Sequence, residues 1–390
     1  MKIGIITHYY KSKNYGGNLQ AYALQHYLGH KYMVEQICYE NITSPKGKKE
    51  LLAELGFWGF SKKCARYVLR RLKNTFQKRD SKVESLLEKR KKAILNFNQN
   101  IPHSTTIYSL ENIAKAENQY DCFITGSDQV WHPSAVNEAY LLNFVKNKPK
   151  MSYAASLAVS QLTEQQEERM RAALKSYKAI SVREKNAVTM LQGVAAQPIQ
   201  WVLDPVFLLG QDEWSKLAVG ELVTEKYLFC YFLGADKKIR KLANAYAQKR
   251  NLKLVTLPHL LGGYRVCDKN WGDVQLYDVD PAGFISLIKN AECVFTDSFH
   301  ALAFARIFEK DYFVFNRQGN LSMNGRIYSL CELFNEWSHF CDSKEKLSLD
   351  YILKQYPIDY TKNFEEFKQK QEESFKYLHT NLERVETGLS

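Results

Sequence analysis

Short apolar runs alternate with longer amphipathic runs along most of this 390-residue chain. A strand buried in a parallel sheet appears as a short apolar run, and a covering helix appears as a longer run with one apolar face. The alternation therefore predicts an α/β fold with parallel sheets. The predicted strands are 2–8, 34–39, 120–125, 150–155, 178–182, 199–203, 227–233, 252–257, 292–297 and 311–316. The predicted helices are 17–29, 163–177, 184–192, 236–250, 281–290, 299–309 and 326–335.

The alternation pauses in the middle of the chain, which indicates two domains. One series of runs ends at Leu203-Asp204-Pro205, and a second begins after 211–217. We therefore expect a first domain over 1–205 and a second over 206–358. Residues 359–390 are charged and helical in pattern, and they either pack back across the first domain or trail from the second.

A basic helical insertion is predicted at 57–97, where the rhythm of strands and helices is interrupted. Residues 61–92 hold thirteen Lys and Arg against three Asp and Glu, so they carry +10 of the chain's formal charge of +12. Three interpretations remain open: a solvated helical hairpin on the domain, an interfacial helix over 57–92 on anionic lipid, or a nucleic-acid patch. No recognised nucleic-acid motif accompanies the charge, so nucleic acid is the least favoured partner.

The compartment is expected to be the cytoplasm. The apolar run at the start of the sequence ends by Thr7, which is too short for a signal peptide, and no apolar run approaches the 18 residues of a spanning helix. The eight cysteines are dispersed through the chain, without the paired spacing of zinc or iron–sulfur ligands. We therefore expect neither disulfides nor a metal site.

Two glycines follow the first predicted strand, in the segment Asn14–Gln25. Gly16 and Gly17 allow the backbone to approach a ligand closely, and a helix start offers free N–H groups to an anion. The spacing differs from that of a dinucleotide fingerprint and of a phosphate loop. A purely structural turn remains the alternative.

Polar residues follow two further strands of the first half. The apolar strand in Asp121–Pro133 ends in Gly-Ser-Asp-Gln, at the sheet edge where open α/β folds bind their ligands. Asp128 is there either a general base or a helix cap. Arg183 ends another strand before a helix, where its planar guanidinium suits phosphate or carboxylate if it lies at a cleft.

The corresponding segment of the second half is Cys293–Arg306. Ser298 is a plausible N-cap, which would place His300 in the first turn of an apolar helix. The positive potential of a helix start favours a neutral imidazole and attracts anions. A purely structural histidine remains the alternative. Arg326 opens a later helix and adds a second arginine near the same sheet edge.

Five segments in sequence order resemble the motifs of the polysaccharide pyruvyl transferase family, and the resemblance extends from residue 3 to about residue 335. Two positions depart from the family pattern. Ala301 follows the histidine where glycine is usual, and His132 follows the tryptophan where asparagine is common. The segments are Asn14–Leu24, Gly126–Trp131, Ser181–Lys185, Asp204–Val206 and Thr296–His300.

The resemblance implies two Rossmann-like domains with parallel sheets facing a cleft, similar to the B-type glycosyltransferase fold. It implies transfer of a pyruvyl group from phosphoenolpyruvate to saccharide hydroxyls, which gives a ketal and releases phosphate. Phosphoenolpyruvate is then a co-substrate, and no cofactor or metal ion is expected. The expected acceptor is a lipid-linked precursor of a cell-surface glycan, and the protein is expected to bind it at the inner face of the membrane.

Site roles follow from the same resemblance. His300 is expected to be the acid or the phosphate-orienting residue, and Asp128 is a weaker candidate for the base. Arg183, Ser298 and Arg326 would bind the donor. Gly17 and Asn18 would face the acceptor.

Two other functional classes remain open. A B-type glycosyltransferase using a nucleotide sugar would share the fold. A non-catalytic partner of redox proteins is a third class, and the dispersed cysteines argue against it.

Overall fold

The computed structural model describes residues 1–40, 81–133, 136–259, 265–317 and 324–388. Every predicted strand and helix is present, with ends shifted by at most three residues. The strands are β1 Lys2–Ile6, β2 Met33–Gln36, β3 Cys122–Thr125, β4 Lys150–Ser152, β5 Ile180–Val182, β6 Ile199–Trp201, β7 Tyr227–Tyr231, β8 Lys253–Thr256, β9 Val274–Gln275, β10 Cys293–Thr296, β11 Asp311–Phe315 and β12 Phe340–Cys341. The helices are α1 Tyr15–Gly29, α2 Ser81–Asn98, α3 Glu164–Leu174, α4 Lys185–Gln192, α5 Gln211–Leu217, α6 Lys237–Arg250, α7 Pro281–Lys289, α8 Phe299–Ile307, α9 Gly325–Phe334, α10 Leu349–Lys354 and α11 Phe364–Thr387.

The first sheet has the strand order β2-β1-β3-β4, and every pairing in it is parallel. The parallel pair β5–β6 continues this sheet through bridges from Met151 to Ala179 and from Ala155 to Val182. The chain leaves β1 for β2 on one side and returns to β3 on the other. The carboxyl ends of β1 and β3 therefore form a topological switch point, where parallel sheets bind ligands.

The second sheet has the order β12-β11-β10-β7-β8-β9 and is also parallel throughout. Its chain reversal lies between β7 and β10, so the polar segment that follows β10 stands at the second switch point. The expected α/β architecture with parallel sheets is confirmed. The predicted boundary between residues 205 and 206 falls between β6 and β7.

One hydrophobic core cluster joins the two sheets through α1. Tyr15 of α1 stacks on Phe284 of α7 with ring centroids 4.8 Å apart, and its hydroxyl donates to the Val279 carbonyl at 2.6 Å. The last helix, α11, packs back against the first sheet, because Tyr377 and Leu378 share a buried cluster with β1 and β3 residues. It does not trail, which resolves the alternative that the sequence left open.

The basic insertion is described from residue 81 onwards, as α2, and the earlier part of the predicted 57–97 insertion lies outside the described residues. One face of α2 is buried, through Leu87, Arg90, Ile94 and Phe97, and its other face carries exposed charge. This described part is a helix packed on the protein core. No helix among the described residues has the length and apolar character needed to cross a bilayer.

Arg90 departs from the interpretation of its segment as solvated charge. Its side chain is 1% exposed and reaches the loops at the edge of the second sheet. It donates to the carbonyls of Tyr277, Pro258 and Leu276 at 2.5, 2.5 and 2.6 Å. The guanidinium donors and the three carbonyl acceptors thus find hydrogen-bond partners in each other. Arg90 therefore fastens the insertion to the second half of the chain.

Replacing Arg90 with Met should lower the free energy of unfolding by about 3 kcal/mol, because three buried carbonyls lose a charged donor. Lys92, two residues along on the exposed face of the same helix, is the matched control. Lys92→Met should change stability by about 0.5 kcal/mol or less in the same urea titrations. Equal effects of the two substitutions would contradict the fastening role of Arg90.

Candidate active site

The two switch points meet where the start of α1 contacts the start of α8. Gly16 lies against the His300 imidazole so closely that a Cβ at this position would overlap the ring. A residue with any side chain would have to push the two helices apart. Gly16 is therefore needed for this contact. The sequence predicted that Gly16 and Gly17 let the backbone approach a ligand, and in the structure Gly16 approaches a histidine of the same chain.

Asp204 is the centre of the buried polar network between the helices. Its carboxylate is 1% exposed and accepts from Arg183 Nη1 at 2.5 Å and from Ser127 Oγ at 3.1 Å. His300 Nε2 lies 3.7 Å from the same carboxylate oxygen. Burial opposes ionisation of Asp204, but Arg183 and His300 outweigh that effect and lower its pKa. Asp204 is therefore an anion that orients the Arg183 guanidinium and faces the His300 imidazole.

Arg183 is buried between protein groups, with 3% of its surface exposed. Besides Asp204 it contacts Asp128, whose Oδ1 lies 3.4 Å from Nη2, and its guanidinium carbon lies 4.6 Å from the centre of the Phe299 ring. Two carboxylates of this chain thus already occupy its guanidinium. Direct binding of a donor by Arg183 stays a prediction, and the observed contacts give it a positioning role.

Asp128 lies beside Arg183 with a positive φ of 64°, and no helix of the described residues begins directly after it. Burial opposes its ionisation, but the positive charge of Arg183, together with His300 and His8, lowers its pKa. Asp128 therefore does not cap a following helix, which was one of its two predicted roles, and it pairs with Arg183 instead. An ionised carboxylate held in this way stabilises neighbouring positive charge more readily than it accepts a proton.

Arg326 is the buried cation of the site that lacks such a pairing. It is 8% exposed, and no carboxylate within the described residues lies in ion-pair range of its guanidinium. Gln129, with its amide oxygen turned towards Arg326, accepts from Nη1 and Nη2 at 2.6 and 3.0 Å. Burial and the nearby Arg183 lower the pKa of Arg326 to about 10. An anion at this guanidinium would relieve both unfavourable effects.

His300 and Ser298 occupy the start of α8, as predicted. Ser298 is the N-cap residue, as predicted, but its hydroxyl makes no capping hydrogen bond. His300 Nε2 is buried without a hydrogen-bond partner among the described residues. The hydroxyl, the imidazole nitrogen and the free N–H groups of the helix start are therefore all left for a ligand.

Gly17 and Asn18 lie at the start of α1 and differ in what they face. A Cβ on Gly17 would stand 3.5 Å from Asp128 Oδ2, so the Gly17 backbone borders the charged network. Asn18 is fully buried and donates to the Ser12 carbonyl at 3.2 Å. It therefore holds the loop that leads into α1, and its acceptor role stays a prediction.

A cavity of about 400 Å³ opens beside this network, at the carboxyl end of β1. His8 joins the cavity to the site, because it packs edge-on against Tyr140 at 4.6 Å and lies near Asp128. Burial lowers the pKa of His8, although Asp128 opposes that shift. Most of the other lining residues are aromatic or charged, and the full set is Tyr9, Tyr10, Lys11, Ser12, Tyr39, Glu40 and Tyr140.

The sequence motifs, now in one place in the fold, match a known family. The family model described as polysaccharide pyruvyl transferase matches residues 14–318. This chain belongs to the polysaccharide pyruvyl transferase family. The protein is therefore a glycan-modifying transferase, and its family implies a saccharide acceptor.

Solved structures resemble the transferase in fold. UDP-N-acetylglucosamine 2-epimerase from Rickettsia bellii is 11% identical with a TM-score of 0.51, and the match covers 99% of this chain and 97% of that one. The Methanocaldococcus jannaschii UDP-GlcNAc 2-epimerase, in complex with UDP-GlcNAc and UDP, is 14% identical with a TM-score of 0.51, over 95% and 99% of the chains. These matches confirm the B-type glycosyltransferase-like fold. No curated protein matches the sequence.

Several residues of the transferase site were not singled out from sequence, although most lie inside the recognised motifs. Gln20 accepts from the Ser127 backbone at 3.1 Å and donates to Thr7 Oγ1 at 3.1 Å, which connects α1 to the ends of β1 and β3. Asp204 and Gln129 also lie inside the motifs. Their positions in the sequence, Gln129 next to Asp128 and Asp204 next to Pro205, were the signal that could have identified them as site residues. His8 had no signal beyond its place after β1.

The site offers no cluster of metal ligands among the described residues. Within the described part of the chain, the carboxylates and imidazoles of the site do not bring three ligating atoms into mutual range. The arrangement instead combines two anions, two buried arginines and an unpartnered imidazole nitrogen. Such a set can bind an anion and transfer a proton.

The buried carboxylates predict how the stability of the transferase depends on pH. The pKa of Asp204 is lower in the folded chain than the value of about 3.9 in an unfolded chain, so its contribution to stability is complete above about pH 5. That contribution is lost as the pH falls through 4 towards the folded pKa, because the unfolded state then binds more protons.

Asp204→Asn should lower the free energy of unfolding at pH 7 by about 3 kcal/mol and make its decline below pH 5 shallower than in the wild type. Urea titrations at a series of pH values measure both effects. Asp212→Asn, at an exposed position, is the control and should keep the wild-type profile. A decline in Asp204→Asn as steep as that of the wild type would contradict the assignment.

Proposed function

We propose that this transferase moves a pyruvyl group from phosphoenolpyruvate to saccharide hydroxyls of a cell-surface glycan precursor, forming a pyruvate ketal and releasing phosphate. The observation that carries the proposal is Arg326, a buried guanidinium without a carboxylate partner in the described residues. It lies near the start of α8, since its guanidinium carbon is 5.8 Å from the Phe299 ring centre. A small, strongly anionic donor suits this pair of features.

Donor binding would use the free groups at the start of α8. The Ser298 hydroxyl and the helix N–H groups would donate to phosphate oxygens, and Arg326 would bind phosphate or carboxylate with two parallel hydrogen bonds. Gln129 keeps the guanidinium in place from the side of the first sheet. Arg183 supports this arrangement through Phe299, because both arginines face that ring.

Proton transfer would begin at His300. A protonated imidazole gives its proton to the methylene carbon of phosphoenolpyruvate, which becomes a methyl group and leaves the adjacent carbon electrophilic. One sugar hydroxyl would add to that carbon and return a proton to the site in place of the one that His300 gave. A second hydroxyl would displace phosphate, which leaves with the proton of that hydroxyl, and the ketal closes. Asp204, 3.7 Å from Nε2, stabilises the imidazolium form before transfer.

The acceptor would enter through the cavity beside His8. Tyrosine rings suit the apolar faces of a pyranose, and Glu40 and Lys11 offer hydrogen bonds to its hydroxyls. The Gly17 backbone would border the reacting hydroxyls, next to the carboxylate of Asp128. Asp128 would stabilise the positive charge that develops at the donor carbon, and it remains a candidate for the base.

The acceptor is proposed to be lipid-linked and to be met at the inner face of the cytoplasmic membrane. The observation behind this proposal is the excess of positive charge in residues 61–92, a segment that contains none of the site motifs. Lysines and arginines of this segment would attract anionic headgroups. Residues 61–80 of this segment lie outside the described part of the chain, and Arg90 is engaged inside the protein.

The proposal is tested with purified protein, phosphoenolpyruvate and lipid-linked saccharide extracted from the producing cells. Phosphate release should depend on both substrates. His300→Gln should slow phosphate release about 100-fold or more with little change in the Kd for phosphoenolpyruvate, because it removes proton transfer and leaves the anion subsite intact. Arg326→Lys should raise that Kd about tenfold, because the paired hydrogen bonds are lost.

His103→Ala is the control, since His103 is exposed and lies outside the site. It should leave both values unchanged. Consumption of a nucleotide sugar without phosphate release from phosphoenolpyruvate would favour the alternative, a B-type glycosyltransferase. Undiminished turnover by His300→Gln would remove the histidine from the mechanism and leave the family assignment in place.

A further inference from the structure

A cluster of ligating side chains lies outside the active site, at the far end of α1. His26 and His30 come from the end of α1, and Glu213 comes from α5. One nitrogen of each imidazole and one oxygen of the carboxylate all lie within 4.8 Å of one another. The three residues thus bring metal-binding atoms from two separate segments to one place.

The two histidines share a face of α1 because they are four residues apart. His30 stands at the C-cap position but keeps helical backbone angles, with φ −67° and ψ −26°, so the helical spacing extends to it. The two rings are 5.0 Å apart between centroids and meet edge to face. Pairs of histidines at this spacing present both imidazoles to a single ion.

Glu213 is held in place by groups that have no connection with the histidines. One of its oxygens, Oε2, accepts from the Gly210 backbone at 3.0 Å. The next residue, Trp214, is fully buried and donates to the Val206 carbonyl at 2.9 Å. The other oxygen, Oε1, is left 4.0 Å from His26 Nε2, which is too long for a direct hydrogen bond.

We propose that His26, His30 and Glu213 bind a first-row divalent cation of the Zn²⁺ type, with water completing the tetrahedron. Zinc lies about 2.0–2.2 Å from such ligands, which places ligand atoms about 3.3 Å apart in a tetrahedron. The observed spacing needs only a small inward movement of three side chains that are at least partly exposed. The negative end of the α1 dipole adds a favourable field for a cation.

The donor set decides which metal is bound. Imidazole nitrogen favours zinc, nickel and copper, whereas magnesium and calcium prefer sites made entirely of oxygen ligands. The cysteine spacing alone predicts no metal site. The two histidines of α1 carry no local signal of this site, because their partner carboxylate lies far along the chain, at Glu213.

The bound ion would fasten α1 to the segment that leads into the second sheet. His26 lies ten residues from Gly16, or about 15 Å along the helix, so the ion stays clear of the substrates. It would act on the site by fixing the orientation of α1, whose first turn contacts His300. The site is therefore structural and does not take part in the chemistry.

Direct binding measurements test this inference on the metal-free full chain, independently of any transferase activity. Zn²⁺ is titrated against a chromophoric chelator in the presence of excess Mg²⁺, and one ion should bind per chain. His30→Ala and Glu213→Gln should each weaken Zn²⁺ binding about tenfold or more, since losing even an outer partner of a ligand has an effect of that size. His103→Ala should bind Zn²⁺ as the wild type does.

Thermal unfolding gives the second measurement. Zn²⁺ should raise the Tm of the wild type and of His103→Ala, and it should have little effect on the Tm of His30→Ala. Zinc affinity that is unchanged in both ligand variants would place the ion elsewhere in the chain and overturn the proposal. Binding of the wild type only at millimolar Zn²⁺ would overturn it as well.

Discussion

The ion pairs of Arg183 with Asp204 and Asp128 are the interactions on which the rest of the site depends. A buried arginine is tolerated only when carboxylates and aromatic faces replace the water it has lost, and here two carboxylates and Phe299 do so. Removing one partner leaves an uncompensated buried charge, with a typical destabilisation of about 3–5 kcal/mol. The network therefore constrains where β3, β5 and the segment after β6 can lie.

The same network decides which groups remain available for chemistry. Asp204 and Asp128 both pair with Arg183, so Arg326 is left without a carboxylate in ion-pair range among the described residues. Asp204 also faces His300, which links the charge balance of the first sheet to the first turn of α8 in the second. Contact between Gly16 and the imidazole holds the two halves at this separation. The groups proposed for donor binding and for proton transfer are thus positioned by the same contact between the starts of α1 and α8.

Much of this could be predicted from sequence because parallel sheets follow local rules. Every strand predicted from an apolar run is present in the structure. The polar residues that follow these strands indicated the sheet edge where Asp128, Arg183 and His300 lie. Long-range pairing could not be predicted, because no local pattern links Asp204 to Arg183 or Glu213 to His26. The burial of Arg90 could not be predicted for a related reason: in a charged run, only the tertiary structure distinguishes a buried arginine from its exposed neighbours.

A structure of the transferase with phosphoenolpyruvate bound tests the central claim most directly. The account predicts phosphate or carboxylate oxygens on the Arg326 guanidinium and at the start of α8, with the methylene carbon within about 3.5 Å of the His300 ring. Phosphoenolpyruvate bound away from Arg326 and His300 would contradict it.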